Sequence, residues 1–283
     1  LWDLAGKIAG QPCWKLLGGM RRRIACYASS GTLRDGPALA DQAERVAARG
    51  FRAMKIRFRR GDWRADIAAL EAVRARVGAR LELMVDCNQG WRFPWDTMSA
   101  WTVKDALAIG RELERLGVYW MEEPLHRADR AGMRLLREKL DLRIAGGELD
   151  REMSELRDLI AEGCLDVIQP DVVSVGGITG LAKIAAMAGE HGVAFTPHSW
   201  GNGIGVIANA HLMAGATDGG YFEFPWDPPE WTNARRDFMF RAPLDVDEGG
   251  ELVLSDAPGL GFDLDEEMLA RTRVDGGTIR SNN

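Results

Sequence analysis

Two basic residues, Lys55 and Arg57, stand two apart in an apolar stretch, and Asp86 and Asn88 share the same spacing further on. After them come Glu122-Glu123-Pro124, Gly146-Gly147-Glu148, the pair Gln169 and Asp171, then Pro197-His198, and finally Glu223. A spacing of two puts both side chains on one face of an extended strand. If Asp86, Glu122 and Glu148 meet on one rim, three carboxylates repel one another until a cation joins them. An all-oxygen set without Cys or His selects a hard ion, magnesium first and manganese second. Lys55 and Arg57 would face that ion across a gap suited to an anionic substrate. On the far side stand Asp171 and His198, and a carboxylate beside an imidazole fixes its tautomer and raises its basicity.

These groups share a rim only if the elements that carry them are parallel strands. The pattern predicts strands at Arg23–Ala28, Phe51–Phe58, Leu81–Cys87, Val118–Met121, Leu142–Ala145, Asp166–Val173, Val193–Thr196 and Tyr221–Phe224. Helical periodicity separates them, for example Trp63–Val77 and Ile178–His191. Short, mostly apolar strands alternating with helices indicate a parallel sheet buried on both faces. Eight such units favour a closed α/β barrel of the (β/α)8, TIM type, in which chemistry sits at the C-terminal ends of the strands. No dinucleotide fingerprint follows the first strand, which counts against a doubly wound sheet. Seven of the eight strand ends deliver a charge or an imidazole to that one rim. Residues 1–226 are expected to form the barrel. Residues 227–283, rich in Pro, Gly and acid, are expected to wrap back over it as an extension with a helix at Asp265–Arg273.

Composition removes other classes. The net charge of −6 leaves no basic footprint for nucleic acid. No apolar run approaches the roughly 20 residues of a membrane span. Cys13, Cys26, Cys87 and Cys164 lie far apart with no Cys-x-x-Cys pair, which fits a reducing, cytoplasmic setting. The chain opens on Leu1-Trp2-Asp3-Leu4-Ala5, which reads as mid-helix, so a preceding segment is expected.

The segments Met54-Lys55-Ile56-Arg57, Val85-Asp86-Cys87-Asn88, Trp120 to Pro124, Gly147-Glu148, Gln169-Pro170-Asp171, Gly176 to Gly180, Pro197-His198 and Phe222-Glu223 together resemble the enolase superfamily, in its mandelate racemase-like branch. The resemblance runs from Leu1 to about Arg273. It implies Asp86, Glu122 and Glu148 as magnesium ligands, and Lys55 and Arg57 as the Lys-x-Lys pair with its second member changed. His198 and Asp171 match the general-base dyad, and Glu223 the acid that hydrogen-bonds the substrate carboxylate. Enolase-superfamily sites use a Lys or His base with magnesium stabilising an enediolate. Asn88, Gln169 and Trp91 are candidate substrate contacts. The family's N-terminal α+β cap is absent from this chain, and Leu1 to Lys7 resembles the helix that enters the barrel. The resemblance also implies a homo-oligomer.

The departures shape the reading. A guanidinium stays protonated at any reasonable pH, so Arg57 argues against a symmetric two-base racemase. Asn88 stands where some sugar-acid dehydratases of the family carry His. What the resemblance implies first is a magnesium-dependent lyase that removes the proton α to a sugar acid's carboxylate and expels the β-hydroxyl, giving a 2-keto-3-deoxy acid. A racemase or epimerase, or a cycloisomerase, using the same enediolate is the first alternative. A barrel that binds metal or sugar acid without turnover is the second. Among residues weighed singly, His126 reads as a surface loop residue, His191 as a helix C-cap and His211 as structural. Glu123 is expected behind the metal ligands, Gly176 to Gly180 as a packing turn, and Cys87 as pointing away from the site. Trp91, Trp95 and Trp101 either wall the pocket or pack their loop.

Overall fold

The computed structural model describes residues 1–273 apart from 20, 59, 60, 93–95, 97, 98 and 218. Two helices, α1 (Trp2–Ala9) and α2 (Cys13–Leu16), precede the first strand. Then strands and helices alternate: β1 (Arg23–Ser29), α3 (Gly36–Ala48), β2 (Ala53–Arg57), α4 (Trp63–Val77), β3 (Glu82–Asp86), α5 (Val103–Arg115), β4 (Val118–Glu122) and α6 (Arg130–Lys139). The series continues with β5 (Arg143–Gly146), α7 (Met153–Ala161), β6 (Val167–Ile168), α8 (Gly177–Glu190), β7 (Ala194–Phe195), α9 (Gly203–Ala216) and β8 (Phe222–Pro225). α10 (Asn233–Arg236), β9 (Glu251–Val253) and α11 (Glu266–Thr272) follow. None of the described helices is long and apolar enough to cross a membrane.

Strands β1 to β8 lie in the order β7-β6-β5-β4-β3-β2-β1-β8 with every ladder parallel. The Tyr27 ring of β1 meets the Trp120 ring of β4 edge-on at 5.3 Å. Strands three apart in the order thus face each other across the interior, and the sheet curls into a (β/α)8 barrel. Among the described residues no ladder joins β7 to β8. Ser199 bridges that seam instead, its Oγ donating to the Glu223 carbonyl at 2.6 Å and its N–H to the Glu223 carboxylate at 2.8 Å.

Alternation along the strands sorts the side chains into layers. Tyr27, Ala53, Met84, Trp120, Ala145 and Val167 fill the interior as one buried apolar layer. Their chain neighbours Met54, Leu83, Val85, Met121, Ile144 and Ile168 point outward and pack under the helices. Cys87 belongs to this outer layer, as alternation requires. Two residues beyond the interior layer the same strands carry Ser29, Lys55, Asp86, Glu122 and Gln169, all buried. The apolar plug is therefore the floor of a polar rim.

The second half departs from the expected strand lengths. β6 stops after Ile168, where the sequence suggested a run to Val173. Asp171 is the cause: its backbone carbonyl accepts from Ser174 and Val175 N–H, and its side chain accepts from Val173 N–H at 2.9 Å. An Asp that hydrogen-bonds the backbone two residues on turns the chain. At Gly176, φ is +67° and an added Cβ would meet Met153 Sδ at 2.4 Å, so close packing on α7 requires the glycine.

The polar groups under the later segments are tied to backbone. Arg236 and Asp237 are both buried and form a forked ion pair at 2.6 and 2.7 Å, and Arg236 also donates to the carbonyls of Pro225 and Leu244. His211 is buried on α9, accepting from Trp14 N–H at Nδ1 and facing the Leu260 carbonyl from Nε2 at 3.1 Å. Strand β9 pairs antiparallel with the start of β1.

Candidate active site

The structure gathers the strand-end groups into one rim. Asp86, Glu122 and Glu148 each offer a carboxylate oxygen within 4.8 Å of the others, and all three are buried. Asp86 and Glu122 come there by plain alternation. Glu148 does not, since it lies three residues beyond the inward Ala145. Gly147, at φ +108°, turns the backbone so that Glu148 reaches the rim, and a Cβ there would press on Ile168 at 3.1 Å.

Lys55 lies between the acids, with Nζ 2.5 Å from Glu122, 2.9 Å from Glu223 and 4.0 Å from Asp86. Burial works against its charge, but Glu122 and Glu223 outweigh burial and hold the ammonium well above its usual range. Trp120 and Gln169 donate to the second oxygen of Glu122 at 3.1 and 2.9 Å. Arg57 is only partly buried, with a guanidinium nitrogen 3.8 Å from Asp86 and its charge 5.8 Å from the Trp200 ring. The Asp86 oxygen facing these cations accepts no hydrogen bond.

Opposite the acids stands His198. Its Nδ1 lies 2.9 Å from Asp171 Oδ2, and its Nε2 faces the rim 3.8 Å from Glu148. Burial lowers its pKa, but Glu223, Glu148 and the bond to Asp171 prevail and raise it to about 9. Glu223 is also buried, yet Lys55, His198, the Ser199 N–H and the Ser29 hydroxyl bring its pKa down to about 2. Burial, Asp86 and Glu223 push Glu148 up, with His198 and Lys55 opposing.

The cradle suits a hard cation on its own chemistry. It presents three carboxylates and no nitrogen or sulfur donor, it holds an orphaned Asp86 oxygen, and burial together with the neighbouring acids raises the pKa of Glu122 and of Glu148. The three candidate substrate contacts sit differently from one another. Asn88 holds φ +51°, gives its N–H to Asp86, and leaves its buried side-chain oxygen unpartnered. Gln169 directs its amide at Glu122, and its buried oxygen is likewise unpartnered. Trp91 donates its indole N–H to Glu148 at 3.1 Å, so it touches the acids. Trp95 lies outside the described residues. Trp101 packs against the core, its backbone N–H on Gln89.

Of the other histidines, His126 is exposed in its loop, and His191 caps α8 with its ring on the Met187 carbonyl. Glu123 is buried at φ +47° against Gly90, where any Cβ would strike its carboxylate at 2.1 Å. Sequence reasoning missed Ser29, Ser199 and Asn209. The serines offered no signal, but Asn209 did: a polar residue inside an apolar helix needs a buried partner.

Comparison with known proteins agrees with this geometry. Residues 38–268 match the model of the enolase C-terminal domain-like family. The chain is 32% identical over 266 residues to the arabinonate dehydratase of Saccharolobus solfataricus, covering 93% of this chain and 67% of that protein. It is 31% identical to the D-galactarolactone cycloisomerase of Agrobacterium fabrum, covering 97% of this chain and 72% of that protein. A crystal structure from Bordetella bronchiseptica, described as a mandelate racemase and holding 2-oxoglutarate or phosphate, superposes with a TM-score of 0.85 at 34% identity, over 97% of this chain and 70% of that one. A Streptomyces coelicolor racemase with bound magnesium gives 0.82 at 30%, over 96% and 70%. Fold, rim geometry and these matches together place the chain in the enolase superfamily, among the mandelate racemase-like proteins.

Proposed function

We propose that this chain is the barrel of a magnesium-dependent sugar-acid dehydratase. One observation carries the reading: an oxygen-only acidic cradle and a carboxylate-held imidazole face each other across a single rim, with His198 Nε2 3.8 Å from Glu148. Asp86, Glu122 and Glu148 would hold the ion. Magnesium bound there supplies a Lewis acid that stabilises charge developing on the substrate's carboxylate oxygens.

The remaining steps fall to the chain's own residues. Lys55, kept protonated by Glu122 and Glu223, sets a fixed positive charge where the enediolate forms. Arg57 adds a second cation that cannot act as a base. Asp171 holds the Nδ1 side of His198, and a cation on the acids would offset the Glu148 charge that helps keep the ring protonated, so that Nε2 can take the proton from C2. The same Nε2 then returns that proton to the hydroxyl leaving C3, so water departs and the enol relaxes to a 2-keto-3-deoxy acid. One imidazole thus serves both steps. The arabinonate dehydratase relative supports elimination. The cycloisomerase relative favours a second reading, in which the same enediolate is made and the ring rearranges instead.

The test is a panel of pentonates, hexonates, aldarates and aldarolactones with magnesium, assayed for 2-keto acid and for ring-rearranged product. Formation of a 2-keto-3-deoxy acid from at least one is expected. Rearranged lactone without keto acid would give the second reading, and binding without turnover would reduce the protein to a metal- or sugar-acid-binding barrel.

A further inference from the structure

Asn209 lies in the middle of α9, fully buried among apolar neighbours. An amide there is costly unless each polar atom is paired, and here each is. Nδ2 donates to Asp171 Oδ1 at 2.9 Å and to the Gly205 carbonyl at 3.2 Å, while Oδ1 accepts from Val172 N–H at 3.1 Å. The Val172 donor admits only an oxygen on that side, so the amide's orientation is determined and its nitrogen must face Asp171. Asp171 Oδ1 also accepts from Val173 N–H at 2.9 Å, which leaves Oδ2 alone for His198 Nδ1.

We infer that Asn209 is the positioning residue of the proton-transfer pair. It clamps Asp171 as a two-sided acceptor and thereby aims His198 Nε2 at the rim. The linkage is short in the chain as well as in space, since α9 starts just after the loop that carries His198. This inference rests on the dehydratase reading for what His198 does, but the clamp itself is independent of the substrate.

The test separates clamp from scaffold. Asn209→Leu keeps the size and shape while removing the donor that faces Asp171. Asn209→Ser removes the reach and serves if the first variant does not fold. The first readout is the ring Nδ1–H proton resonance of His198, assigned by its loss in His198→Asn and observable without substrate. It should shift or broaden away in either variant. The second is kinetic: kcat should fall about 10- to 100-fold, as when an outer hydrogen-bond partner is removed, with KM nearly unchanged. A lower melting temperature with an unmoved resonance would overturn the clamp. If no sugar acid is turned over, the functional reading fails, yet the resonance still decides for or against the clamp.

Discussion

Two sets of buried polar groups in this barrel are built on opposite rules. Under the later segments, Arg236 with Asp237, and His211 between Trp14 and Leu260, have their charges or ring nitrogens met by fixed partners. At the rim, buried acids face one another and several polar atoms, on Asp86, Asn88, Glu123 and Gln169, remain without a hydrogen bond. The first set holds segments together. The second holds groups in positions that work against folding, as an active site does when its geometry is set by what it must bind. Substitutions should therefore divide: changes at His198 and at the mutually repelling acids should remove chemistry or relieve repulsion without loss of stability, while changes at Arg236 or His211 should act on stability and leave chemistry. Lys55, which neutralises buried Glu122 and Glu223, belongs to both sets.

The largest effect is expected at the rim. His198→Asn should lower turnover by about 10²- to 10⁴-fold, the usual cost of a lost general acid–base group, with the melting temperature close to the parent's. A matching fall in melting temperature would blur the division. Next comes Arg236→Leu, which strands a buried carboxylate and should cost about 3–5 kcal/mol in denaturant titration. The kcat of the folded fraction should not change.

His211 gives a pH signature. Burial drives its pKa from 6.5 down to about 4, so between these values the unfolded chain binds a proton that the folded one refuses. Stability from this group is complete above the unfolded pKa and is lost as pH falls toward the folded one, by about 3 kcal/mol in all. Urea titrations across that window should show a loss in the parent that is smaller in His211→Gln. The smallest effect sharpens the comparison most. Burial and the nearby Glu148, Asp86 and Glu122 raise the Glu123 pKa well above its ordinary 4.5. Its folded form is thus stable below that value and loses stability as pH rises. At neutral pH, without metal, Glu123→Gln should melt a few degrees higher, an effect of about 1 kcal/mol. Magnesium should shrink the gap, and a lower melting point in the variant would contradict the picture of a repulsive rim.

Strand alternation made most of the rim legible before any coordinates. Lys55, Asp86, Glu122 and Gln169 follow inward apolar residues by two, and the sequence displays that period directly. Where the period breaks, reading was harder. Glu148 arrives through a positive-φ glycine, and β6 ends early because Asp171 caps its own turn. The Ser199 bridge across the seam and the Asn209 clamp depend on elements far apart in the chain, so no local pattern announces them. Position near the rim makes Gln169 and Trp91 candidate substrate contacts, and the fold adds that their amide and indole N–H groups meet Glu122 and Glu148. Only the fold shows which neighbour such a side chain meets. β9 was invisible because three residues in a Gly-rich stretch carry too little alternation.

The central claim is that His198, held by Asp171, moves the proton while Lys55 supplies fixed charge. Exchange of the substrate's α-proton with deuterated solvent, followed by NMR in the presence of magnesium, tests this most directly. His198→Asn should abolish exchange. Lys55→Met should slow it through lost charge stabilisation yet leave it measurable. Undiminished exchange in His198→Asn together with none in Lys55→Met would contradict the account, making Lys55 the base and leaving His198 only to protonate the departing hydroxyl.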